Sequence, residues 1–81
     1  MSLHELDTVV LKRDLPTHGL RRGDVDAVVH VHSATAVEVE FVRASGQTQA
    51  LVEVAAEDLR LINDDDLLAV RHVDPSARGA A

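Results

Sequence analysis

Apolar and polar residues alternate through three consecutive stretches in the middle of the chain, and a period of two predicts β-strands. Residues 25–32 put Val25, Ala27, Val29 and Val31 on one face and Asp26, Val28, His30 and His32 on the other. Residues 37–43 turn Val37, Val39 and Phe41 inward and Glu38, Glu40 and Val42 outward. Residues 48–54 follow with Ala50, Val52 and Val54 inward. The connections are short, and Gly46 supplies the positive φ that the second turn needs. A three-strand meander is the expectation.

The flanking segments extend this pattern. Residues 6–11, Leu-Asp-Thr-Val-Val-Leu, read as a first strand. Residues 14–24 contain Pro16, Gly19 and Gly23, which rules out a continuing strand or long helix. They are expected to form a long ordered loop pinned by Leu15 and Leu20 turning inward. Residues 55–58 suggest one helical turn before a last short strand at 59–62. A long first loop, a meander, a single turn and a short last strand is the order of a small five-stranded Src-homology-3-like barrel. Closing such a barrel hides strand edges, and one helical turn is too little to seal the face of an open sheet. The expected fold is therefore mainly β, with a barrel domain over residues 1–63 and a C-terminal extension over 64–81. In that extension, Asn63-Asp64-Asp65-Asp66 breaks the strand pattern. Residues 67–73 then read either as a short helix or as an extended arm. The acids before them and Arg71 and His72 near their end suit a helix macrodipole. Residues 74–81, with Pro75, Ser76 and Gly79, are expected to be disordered.

Composition sharpens the β reading. The chain has 81 residues, with thirteen Val and ten Leu against one Ile, one Phe and no Trp or Tyr. β-Branched side chains lose rotamer freedom in helices and pack well on a pleated surface. The core must be aliphatic and thin, so modest stability, or support from a partner or second copy, is expected.

Charge and chemistry then exclude several functions. The net charge is −6, with one Lys and seven scattered Arg, too few cations for binding duplex nucleic acid. The absence of Cys removes disulfides, thiol catalysis and thiolate metal sites. No basic-then-apolar leader pattern opens the chain, and no apolar run is long enough to span a membrane, so a cytoplasmic location is expected. The four Gly are isolated, leaving no phosphate-cradling loop, and no Ser sits in a nucleophile elbow. His18 with Asp14 and Thr17 reads as a loop held by local hydrogen bonds rather than as acid–base machinery. Asp64-Asp65-Asp66 lacks the Gly and distal Glu of a calcium loop. No cofactor is expected, and the chain is not expected to be an enzyme.

Two features invite a binding role. His30 and His32 point to one strand face, which Glu38 and Glu40 of the next strand share. Two His and a carboxylate suit zinc, while exposed cross-strand His–Glu pairs are the plainer reading. Arg13, His18, Arg21 and Arg22 bracket the long loop and suit a partner's carboxylate or phosphate, or else pair with Asp14, Asp24 and Asp26 nearby. Leu67, Leu68 and Val70 would leave an apolar strip in water unless covered. Without Trp or Tyr, and with Phe41 inward, the proline-stacking mode of signalling Src-homology-3 domains is not expected.

The ordered run Glu5-Leu6-Asp7-Thr8-Val9-Val10-Leu11, Asp14-Leu15-Pro16, His18-Gly19-Leu20 and Gly23-Asp24-Val25 resembles a small bacterial family catalogued as domain of unknown function 4926. Val39-Glu40-Phe41-Val42, Gly46 and Glu57-Asp58-Leu59 fit the same pattern, so the resemblance covers about residues 5–62. It implies a single small barrel and no assigned activity. Members are sometimes encoded beside another small protein, which implies a binding partner. The family usually has Gly two residues after the Gly-Asp pair, where this chain has Asp26, so strand two is expected to begin differently here. The leading expectation is a non-catalytic protein-interaction module that docks on a specific partner protein or forms a homo-oligomer. Metal or small-ligand binding through the His30/His32 face is the alternative, and a nucleic-acid accessory barrel the second.

Overall fold

The computed structural model describes residues 2–73, so the expected disorder of residues 74–81 lies outside the described residues. Five strands form one antiparallel sheet: β1 (Thr8–Leu11), β2 (Val25–Ser33), β3 (Ala36–Val42), β4 (Thr48–Ala55) and β5 (Leu59–Leu61). Their order across the sheet is β4-β3-β2-β1-β5. One 3-10 turn, Pro16–His18, interrupts the long first loop, and another, Ala56–Asp58, links β4 to β5. The mainly β architecture and the order of its elements agree with the sequence expectation.

The sheet curls around one core. Val9 and Leu11 of β1, Val28 of β2, Val37, Val39 and Phe41 of β3, Val52 and Val54 of β4 and Leu59 of β5 belong to a single buried cluster. The two edge strands, β4 and β5, thus contribute to the same apolar interior. β4 and β5 are not hydrogen-bonded to each other, and the turn between them spans the gap. Leu20, from the long loop, is 3% exposed and completes the core, and Leu15 bridges to it through paired backbone bonds of 3.0 and 3.1 Å. Leu3 also reaches the core. It is placed there by a turn in which Asp7 N–H donates to the His4 carbonyl and the Asp7 carboxylate accepts from His4 N–H.

Two expectations change, and one open alternative is resolved. β1 starts at Thr8, because Leu6 has φ +73°, outside the strand region, and is exposed.

In β2, Val28 is fully buried, whereas Val25 and Val29, expected inward, are more than a third exposed. The cause is a register shift between Val28 and His30 and a second between Val31 and Ser33. Each bulge adds a residue and resets the two-residue period, so Val28 lies opposite Val39 while Val31 lies opposite Val37. Strict alternation across such a strand assigns part of it to the wrong face.

Finally, residues 67–73 form no helix and continue as an arm without regular secondary structure. A seven-residue helix has too few internal bonds to offset its nucleation cost, and its flanking charges are engaged elsewhere.

Asp26 has a structural role. Its carboxylate accepts from the backbone N–H of Val42 at 2.7 Å and of Ala27 at 2.8 Å. Val42 lies at the β3–β4 register shift, so Asp26 supplies the partner that the irregular ladder leaves missing.

Candidate docking surface

The chain leaves β5 through a tight turn. Asp66 N–H donates to the Asn63 carbonyl, and the Asp66 carboxylate accepts from Asn63 N–H at 2.7 Å. The same carboxylate takes both guanidinium prongs of Arg60, each at 2.8 Å. Hydrogen bonding from Arg60, then from the Asn63 backbone, lowers the Asp66 pKa from 3.8 to about 2. The pairing raises the Arg60 pKa in turn.

Five residues after Asp66, the arm is held again at Arg71. Arg71 Nε donates to Asp24 Oδ1 at 2.8 Å, and Nη2 donates to Oδ2 at 2.5 Å and to the Gly19 carbonyl at 3.0 Å. Asp24 Oδ2 also accepts from Arg21 N–H, which orients the carboxylate from within its own loop. Hydrogen bonding to Asp24 raises the Arg71 pKa. These are bidentate, charge-assisted contacts, the geometry in which Arg fixes a carboxylate best.

Between the two clamps the apolar side chains face water. Leu67 is 91% exposed, Leu68 70% and Val70 101%. Among the described residues, no backbone group of 67–73 takes part in a backbone hydrogen bond. Beside the arm lies an open groove of about 730 Å³. Leu20, Val25, Phe41 and Val42 line its barrel side, and residues 67–73 line the other. Gln49, which is 4% exposed, sits in the groove wall, where it accepts from Arg43 Nε and donates to the His18 carbonyl. Gln49 thereby ties β4 to the first 3-10 turn. A smaller cavity at the end of the arm is lined by Asp14, Pro16, Arg21, Arg71, His72 and Val73 among others.

The sequence-derived binding residues divide between places. Leu67, Leu68 and Val70 gather at the groove, and Arg21 stands at the smaller cavity. Arg22 is bound to Asp14 only through its backbone N–H. His18 offers its carbonyl to Gln49. Arg13 lines neither cavity and lies 3.6 Å from Asp58.

On the outer sheet face, the rings of His30 and His32 meet edge to face at 4.6 Å. His32 Nε2 lies 3.7 Å from Glu38 and 3.9 Å from Glu53 of β4. Glu40 does not join them, because it accepts from the Thr48 hydroxyl at 2.6 Å. Among the described residues, no three His, Cys, Asp or Glu side chains converge as a metal site.

Sequence reasoning missed both Arg–Asp clamps. Arg60 and Asp66 are six apart with no regular element between them, and Arg71 and Asp24 are 47 apart, so neither spacing has a local signature.

A family model described as a domain of unknown function (DUF4926) matches residues 5–61. The chain belongs to this family. No curated protein and no solved structure matches it. The family span includes the barrel wall of the groove, with Leu20, Asp24, Phe41 and Val42, and ends at the last residue of β5. The clamped arm lies beyond that span. No helix among the described residues is long and apolar enough to cross a membrane.

Proposed function

We propose that this family member is a non-catalytic interaction module that docks a protein partner on the groove and arm. One observation carries the reading: two bidentate Arg–Asp clamps hold an arm whose Leu67, Leu68 and Val70 point into water. Ordering that segment costs conformational entropy, and exposing branched apolar side chains adds no burial to offset it within the monomer. An ordered apolar arm is favourable once something covers it, and the clamps remove part of the ordering cost before binding. Three Arg side chains already face carboxylates of this chain, Arg13 with Asp58, Arg60 with Asp66 and Arg71 with Asp24. With a net charge of −6 over the chain, this disfavours the nucleic-acid reading.

The test is site-specific photo-crosslinking in the cells that make the protein. A photoreactive residue at position 68 should give a discrete adduct. One at position 51, where Leu51 is 54% exposed on β4 and outside the groove, should give none. Absence of an adduct at 68, or equal adducts at both positions, would sink the docking reading.

A further inference from the structure

We infer that the partner on this surface is a second copy of the chain, related by a two-fold axis that sets the two arms antiparallel; this rests on the docking reading above. The first support is shape. A two-fold interface uses one patch on both copies, so that patch must contain both the projections and the hollow that receives them. Here they are side by side: Leu67 and Val70 project almost wholly exposed, and the groove beside them is rimmed by Val25 and Val42, 36% and 43% exposed.

The backbone provides a second support. Residues 67–73 make no backbone hydrogen bonds among the described residues, and two identical segments paired antiparallel are related by a two-fold axis. The same operation that seats the side chains would pair the N–H and C=O groups of the two segments.

Charge supplies the third. The arm begins at exposed Asp64 and Asp65 and ends at exposed His72, beside Arg21 in the smaller cavity. Antiparallel arms bring the acidic start of each copy toward Arg21 of the other, whereas parallel arms would set acid against acid. The patch is small for a stable interface, so the dimer belongs to the weak class that assembles at micromolar concentration and above.

Sedimentation equilibrium on the full chain tests this. The wild type should move from 8.7 kDa toward twice that mass as its concentration rises through the micromolar range. Leu67→Asp and Val70→Asp, each at an almost fully exposed position, should remain at the single-chain mass with unchanged circular dichroism. Charge exchange gives a second arm that does not depend on apolar contact. Asp64→Arg with Asp65→Arg, and Arg21→Glu with His72→Glu, should each self-associate at least tenfold more weakly, and an equimolar mixture of the two should recover association. A wild type that stays at 8.7 kDa up to millimolar concentration overturns the second copy. So does a dimer indifferent to Val70→Asp, or a mixture that does not recover. The docking reading fails separately: a monomer whose position 68 crosslinks to a different protein keeps that reading, and a monomer with no adduct ends both.

Discussion

Arg71 and Asp24 form a two-pronged ion pair across 47 residues of sequence, joining the arm to the end of the long first loop. Asp24 precedes β2 directly, and Gly19, the other Arg71 acceptor, ends the Pro16–His18 turn. One guanidinium thus sets the position of the arm relative to the loop and so the width of the groove. Truncation by Arg71→Ala is expected to leave the barrel folded while freeing residues 67–73. NMR relaxation should show new motion confined to the arm, with a loss of about 1 kcal/mol in a part-buried, partly screened pair. Arm order parameters equal to wild type would show that Arg71 does not hold it.

Asp66 gives a pH signature. Its folded pKa of about 2 lies below the ordinary 3.8, so pairing with Arg60 stabilises the folded chain. That contribution is fully present above about 3.8 and is lost as the pH falls through about 2. An NMR titration of the side-chain carboxyl should place the Asp66 midpoint near 2, and Arg60→Gln should return it toward 3.8. A wild-type midpoint already near the ordinary value would contradict the clamp.

The bulged register of β2 separates two neighbouring valines. Val28 is fully buried and Val29 is 38% exposed, although plain alternation expects the opposite. Val28→Ala should cost about 2 kcal/mol in urea unfolding, through lost burial and the cavity left behind. Val29→Ala should change stability by less than about 0.5 kcal/mol. Reversal of that order would return β2 to unbroken alternation.

Asp26 offers the fourth test. Its carboxylate accepts two backbone N–H groups, those of Ala27 and Val42, at 2.8 and 2.7 Å. Asp26→Ala should cost about 1–2 kcal/mol, since the Val42 N–H loses a charged acceptor at the β3–β4 shift. The Val42 amide should also exchange faster with solvent. Unchanged stability and exchange would mean that water replaces the carboxylate without loss.

Much of the five-stranded sheet was legible along the chain. The period-two runs located β3 and β4 and placed Val37, Val39, Phe41, Val52 and Val54 inward, because alternation reports directly which side of a pleated strand is buried. Pro16, Gly19 and Gly23 marked the long loop, and the apolar Leu15 and Leu20 within it turn toward the core as their composition demanded. The exposure of Leu67, Leu68 and Val70 was also legible as a run of Leu and Val after three acids.

Other features were decided only in three dimensions. The bulges in β2 lie in its pairing with β3, a partner distant from any local signal, so no residue within β2 announces that Val28 and not Val29 turns inward. Placement of Leu3 in the core follows from a turn that returns the N-terminal segment to the sheet. Glu53 replaces Glu40 beside His32 because β4 pairs with β3 in a register that sets Glu53 opposite Glu38. Side-chain period is a local property, and one chain of 81 residues states it openly. Pairing of Arg71 with Asp24 and the groove it frames depend on where the curled sheet brings distant segments together. Those contacts belong to the tertiary fold, because local propensity does not determine the meeting of groups 47 residues apart.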